Sequence, residues 1–126
     1  MSREHIEIFN GPDMVAEFDV DYSTEKITNY HRYTDDWVIS PFGNSDSVTY
    51  DMFLGFLESR CPSPGRYDIK KLLSHWHIFV YEPLAICKHT RGLMFDDFLW
   101  IRFEGDDVTY DDIKIRTDFS DFAQEL

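Results

Sequence analysis

The sequence predicts a single α+β domain, in which an N-terminal antiparallel β-meander packs against two or three short α-helices. The prediction rests on alternating apolar and polar residues near the N-terminus, helical spacing of apolar residues in the middle, and an apolar, β-prone run near residues 98–103. A chain of 126 residues can bury one hydrophobic core and is too short for two. We therefore treat residues 1–126 as one domain and expect its acidic end, about residues 117–126, to dock loosely.

The meander is predicted from three segments joined by short turns, residues 5–9, 14–22 and 27–33. The middle segment directs its apolar side chains to one face and its acidic side chains to the other, as in a half-buried strand. The apolar side chains are those of Ala16, Phe18, Val20 and Tyr22. We predict a further short strand at residues 37–39, before a polar loop.

Two helices are predicted after that loop. Thr49 is placed to cap a helix over residues 50–60, and Ser63 followed by Pro64 has the pattern of a cap and first residue of a helix over 64–76. The second helix has the most regular apolar stripe in the chain. Its members are Ile69, Leu72, Leu73 and Trp76.

A third helix is predicted over residues 83–91, because Pro83 suits its first turn and Gly92 suits a left-handed end. The residues that follow, Asp96 and Asp97, come between this helix and the predicted strand at 98–103. Aspartates in such a place typically accept hydrogen bonds from the backbone amides of a turn.

We therefore interpret Gly92, Asp96, Asp97 and Trp100 as a structural corner, with Trp100 buried beneath the second helix. An acid/base pair would need a pocket and an opposing catalytic group, and the sequence supplies neither. The sequence also contains no phosphate-binding glycine loop and no nucleophile motif. We expect a protein that is not an enzyme and has no cofactor.

Cysteine and histidine residues cluster between residues 61 and 89 without the spacing of a structural zinc site. The close pairs His75/His77 and Cys87/His89 are separated by one residue, whereas zinc knuckles have two to four residues between ligands. We therefore expect no metal site, and free thiols at Cys61 and Cys87. The sequence contains neither an apolar run long enough to cross a membrane nor a secretory signal, so we expect a cytoplasmic protein.

The net charge of −12 is unevenly distributed. Residues 60–91 contain six Lys or Arg and two acidic residues, a local charge of +4, so the remainder carries −16. This balance argues against direct binding of nucleic acid, which requires clustered basic residues. It is compatible with a protein that competes with nucleic acid for a basic partner.

Side-chain contacts with a partner are predicted on the loop 60–66, which proline stiffens and which carries Arg60 and Arg66. An equally open alternative for Arg60 is that it caps the C-terminus of its own helix. The predicted partner-binding set is completed by Lys70, Lys71, Asp106, Asp107, Asp111 and Asp112.

Several segments resemble a known family. The stretch "IEIFNGPDMVAEFDVDYSTEKITNYHRYTDDWVISPFG" resembles the opening of HipA-type kinase toxins and of their detached N-terminal domains. "FLESRCPSPGRYDIKKLL" and "GLMFDDFLWIRF" resemble small Firmicutes proteins found beside HipA-like genes. The resemblance covers about residues 6–103 and implies a bacterial, non-catalytic regulatory domain of the toxin–antitoxin type. The ATP-binding and catalytic segments of the kinase have no counterpart in this chain.

Two functions follow as expectations. The first is a protein-interaction module that binds and modulates a protein partner such as a HipA-like kinase. The second is an acidic DNA mimic that inhibits a nuclease or another basic nucleic-acid-binding protein, as anti-CRISPR and anti-restriction proteins do.

Overall fold

The computed structural model describes residues 3–43, 45–94 and 97–115. The elements in chain order are strands β1 (Arg3–Asn10), β2 (Asp13–Asp21) and β3 (Lys26–Arg32), helices α1 (Tyr50–Ser59), α2 (Ile69–His75) and α3 (Pro83–Thr90), strand β4 (Leu99–Phe103) and helix α4 (Tyr110–Ile115). The predicted α+β class, with an N-terminal meander and a strand near 98–103, is confirmed. The predicted acidic tail at 117–126 lies outside the described residues.

The four strands form one antiparallel sheet in the order β3-β2-β1-β4. β4 pairs with the outer side of β1, so the last strand joins the sheet beside the first. The register of β1 against β2 shifts between Ile8 and Phe9. Because successive side chains of a strand point to opposite faces, Ile8 packs in the main core, whereas Phe9 packs in a separate cluster with Trp100.

The main core lies between one face of the sheet and helices α1 and α3. Thr49 caps α1 as predicted, because its hydroxyl accepts a hydrogen bond from the amide of Met52 at 3.1 Å. The alternation of β2 is confirmed, with its apolar side chains in this core and its acidic ones on the other face. Core side chains that are fully inaccessible include Ile6, Phe18, Val20, Phe53, Leu57 and Ile101.

The other face of the sheet is covered at one corner by α4. Trp100 is 1% exposed there, stacks on Phe9 with ring centroids 4.6 Å apart, and packs with Ile113 of α4. Its indole N–H donates to the carbonyl of Gly11 at 2.8 Å. The predicted burial of Trp100 is therefore correct, but the covering helix is α4 and not the second helix.

Two predicted elements differ from the structure. Residues 37–39 form a turn and not a strand. The Asp36 carboxylate accepts a hydrogen bond from the amide of Val38, and the Asp36 carbonyl accepts from the amides of Ile39 and Ser40. The second helix begins at Ile69 and not at Pro64. In the described part of the chain, no helix is long and apolar enough to span a membrane.

Candidate functional site: an apolar and basic surface beside helix α2

The connection between α2 and α3, residues 77–82, turns apolar side chains both inward and outward. His77 has a left-handed backbone (φ 59°), and the amide of Ile78 donates to the carbonyl of Leu73 at 2.9 Å. The Tyr81 hydroxyl donates to the carbonyl of Pro62 at 2.6 Å, which holds the other end of the connection. Between these two anchors Phe79 and Val80 are 99% and 71% exposed.

Helix α2 uses one side for packing and leaves the other in solvent. Its buried side contributes to a cluster with Ile86 of α3, and the cluster members are Leu72, Leu73, Trp76 and Ile86. Lys70 and Lys71 are exposed. The apolar stripe predicted for this helix is thus a packing stripe, and the helix presents two amino groups to solvent.

A groove of about 370 Å³ lies between α2 and the 77–82 connection. It is lined by Lys70, Leu73, Ser74, His77, Ile78 and Phe79. We call these six residues, together with their exposed chain neighbours Lys71 and Val80, the α2 surface. It combines an apolar floor, an exposed aromatic ring and two lysines, the composition found at the centre and rim of protein interfaces.

His89 of α3 lies near the histidines at the end of α2. The pKa of His89 on α3 is lowered by its burial and by electrostatic interaction with His75, His77 and Arg91. No zinc-like arrangement of these side chains was predicted. Within the described residues, one group of side chains is suited to hold a metal ion. It lies on the sheet and includes neither a cysteine nor any of His75, His77 and His89.

Arg60, predicted as a partner contact or a cap of its own helix, lies inside the protein and is 7% exposed. Its guanidinium pairs bidentately with Asp97, with both N–O distances at 2.7 Å. It also donates to the carbonyls of Gly92 at 2.7 Å and Leu99 at 3.0 Å. The expectation of a partner contact is therefore corrected: this side chain joins the end of α1 to the corner before β4.

The corner has the predicted form at the residues described. One oxygen of Asp97 accepts from the amide of Leu99 at 3.1 Å, as expected for a turn, and the pairing with Arg60 is additional. The hydrogen bond and the charge of Arg60 lower the pKa of Asp97 against the opposing effect of burial. Gly92 has φ +69°, and a Cβ there would lie 3.0 Å from Ile101, so the position favours glycine. Asp96 lies outside the described residues.

The other predicted contact residues lie in three places. Arg66 is partly exposed, and its side chain pairs with Asp68 of the same loop. Lys70 and Lys71 belong to the α2 surface. The predicted acidic residues surround α4, on the other face of the sheet from the main core, so they do not extend the α2 surface.

Local bonds hold two of these acidic residues. Asp106 accepts from the amide of Phe103 at 3.2 Å and lies 3.8 Å from Arg91. Asp112 accepts from the amide and hydroxyl of Thr109 and so caps α4. Asp107 and Asp111 are exposed.

Phe79 and Val80 are the residues that the sequence interpretation missed. They belong to the apolar run at residues 78–81, which indicates burial as a whole. Only the fixed positions of Ile78 and Tyr81 turn the two middle side chains outward. Trp37 and Val38 are also exposed, but they lie in an acidic turn that contains Asp35 and Asp36.

Comparisons with known proteins found no match among family models, curated proteins or solved structures.

Proposed function

We propose that this chain is a non-enzymatic protein-interaction module that binds and modulates a protein partner through the α2 surface. The observation that carries the proposal is Phe79, whose ring is 99% exposed at the edge of an apolar groove. Exposing a large aromatic side chain to water is unfavourable by roughly 2 kcal/mol relative to burying it. Aromatic residues at the edge of such a groove are typical anchors of protein interfaces.

The chemistry of the surface specifies the partner. The groove accepts an apolar side chain of the partner, and Lys70 and Lys71 favour carboxylates beside that side chain. Arg60, Arg66, Lys88 and Arg91 each pair with a carboxylate of the chain, so the positive charge at this surface comes from Lys70 and Lys71. In a chain whose net charge is −12, an acidic partner is attracted to these two lysines and repelled by the rest of the molecule. Charge therefore orients the complex as well as strengthening it.

A HipA-like kinase is the partner that the sequence resemblance implies. In this proposal the chain acts as a detached regulatory domain in a bacterial cytoplasm, and any phosphoryl transfer belongs to the partner polypeptide. The proposal is supported by the absence from the sequence of a phosphate-binding loop and of a nucleophile motif.

A second candidate function is supported by the −16 carried outside residues 60–91. Carboxylates on that part of the surface would occupy the basic channel of a nuclease in place of DNA phosphates. Such binding depends on many exposed charges, so its affinity falls steeply as salt is added. The affinity of binding through the α2 surface, which combines an apolar groove with two lysines, should fall less as salt is added.

Co-purification from the native operon tests the proposal. The tagged chain is expressed at its own locus, the captured neighbouring proteins are identified by mass spectrometry, and each complex is washed at low and high salt. We expect a neighbouring protein to be retained at high salt by the wild type, and capture of no neighbouring product at micromolar concentration would contradict the proposal. Capture of a nuclease that is released by salt would support the second function.

A further inference from the structure

The face of the sheet that points away from the main core carries a compact group of polar side chains. His5 and Glu7 on β1 lie opposite Asp19 and Glu17 on β2, in two rungs of the antiparallel ladder that are neighbours on this face of the sheet. Their side chains are between 20% and 35% exposed. They are open to solutes, and neighbouring groups still restrict their positions.

The ring of His5 is held at both nitrogens. Nδ1 lies 2.7 Å from Asp19 and Nε2 lies 2.9 Å from Glu17. An ionised carboxylate only accepts hydrogen bonds, so Nδ1 carries a proton toward Asp19. Asp19 is itself held by the side-chain amide of Asn29, which donates to its other oxygen at 2.8 Å.

Two glutamates, Glu7 and Glu17, lie directly opposite each other beside His5. Like charges in this position destabilise a sheet. Arg102 donates to Glu7 at 2.7 Å and the hydroxyl of Tyr33 donates to Glu17, so each carboxylate is oriented by a neighbour. One ligand atom from each of His5, Glu7 and Glu17 lies within 4.8 Å of the others.

We propose that His5, Glu7 and Glu17 bind a divalent transition-metal ion of the Zn²⁺ class. One imidazole nitrogen and two carboxylates are ligands that such ions accept, and three protein ligands leave a position for water. Asp19 occupies the place of the carboxylate that commonly receives the second N–H of a metal-binding histidine and so fixes its tautomer. The metal replaces the proton that Nε2 directs at Glu17.

The charge of the group matches a divalent ion. Three carboxylates and the guanidinium of Arg102 leave two net negative charges when the imidazole is neutral. A divalent cation neutralises these charges and removes the repulsion between Glu7 and Glu17. Because its ligands come from β1 and β2, the ion also links the two central strands of the sheet.

Calorimetric titration of the full chain, freed of metal by a chelator, with Zn²⁺ tests this site. We expect saturable binding of one ion per chain and a rise in the melting temperature with added Zn²⁺. His5→Gln and Glu17→Gln should each weaken binding at least tenfold. Asp19→Asn should weaken it about tenfold through the orientation of His5.

His75→Gln and Asp13→Asn are matched controls, because both residues are exposed and neither belongs to the proposed ligand group. His75 ends α2, and Asp13 begins β2 four residues before Glu17. We expect both to bind Zn²⁺ as the wild type does. If His5→Gln does not fold, judged by circular dichroism, Glu7→Gln and Glu17→Gln carry the test. Binding that survives in the site variants, or that falls equally in the controls, would overturn the proposal, as would the absence of one-to-one binding.

Discussion

Arg60 and Asp97 form a bidentate ion pair across 37 residues of sequence, with both N–O distances at 2.7 Å. The pair fixes the end of α1 against the corner that leads into β4. Arg60 also precedes the loop that carries the chain to α2, and Tyr81 binds that loop through the carbonyl of Pro62. The ion pair therefore supports the start of the segment that presents the α2 surface.

Neutralising Asp97 should destabilise the fold without unfolding it. We expect Asp97→Asn to lower the free energy of unfolding by about 1–2 kcal/mol, because the amide retains one acceptor oxygen but leaves the Arg60 guanidinium without a counter-charge. Asp97 is 36% exposed on its side chain, and water moderates the loss. Urea denaturation measures the change, and Asp107→Asn at an exposed aspartate is the control, expected within about 0.5 kcal/mol. Equal stability of Asp97→Asn and the control would contradict a stabilising role for the pair.

The same pair predicts a dependence of stability on pH. The pKa of Asp97 is lower in the folded protein than in the unfolded chain, where an aspartate titrates at about 3.9. Its contribution is therefore complete above the unfolded pKa and is lost as pH falls through the lower folded pKa. Denaturation series from neutral to acid pH should show the difference between wild type and Asp97→Asn narrowing below about pH 4. A difference that is constant through the acid range would contradict this assignment.

Local patterns in the sequence were sufficient for most of the fold. The period of two in β2 and the cap at Thr49 reflect interactions within a few residues, and both are confirmed. The predicted start of α2 at Pro64 was wrong, because side-chain bonds stabilise a loop there. The Ser63 hydroxyl accepts a hydrogen bond from the amide of Gly65, and Arg66 pairs with Asp68. A sequence pattern for a helix cap does not indicate whether such competing side-chain bonds form.

The candidate site was less predictable, because it depends on contacts between distant segments. Arg60 has the same local pattern whether it faces solvent or Asp97, and only the fold decides between them. The exposure of Phe79 follows from two anchors on either side of it, of which the Tyr81 bond spans 19 residues. Lys70 and Lys71 were predicted as contacts from charge alone, and in the structure Lys70 lines an apolar groove.

Truncating Trp100 tests the packing beneath α4. We expect Trp100→Ala to lower the free energy of unfolding by about 3–5 kcal/mol, because it removes the stack on Phe9 and leaves a cavity. Phe98→Ala is the matched control, since that neighbouring ring is 66% exposed, and it should change stability by less than about 0.5 kcal/mol. Thermal melts of the two variants decide the matter. A Trp100→Ala protein as stable as the control would mean that this corner is not a packed part of the fold.

The central claim is that the α2 surface binds a partner, and calorimetry with the co-purified partner tests it most directly. The test variant is Phe79→Ala/Lys70→Glu, and the control is Trp37→Ala/Lys26→Glu, which also removes one exposed aromatic ring and reverses one exposed lysine. All four side chains are exposed, so we expect both proteins to melt close to the wild type. The test variant should weaken binding at least about tenfold, or roughly 1.4 kcal/mol, and the control by less than about twofold. Wild-type affinity in the test variant, or equal loss in both, would contradict the claim.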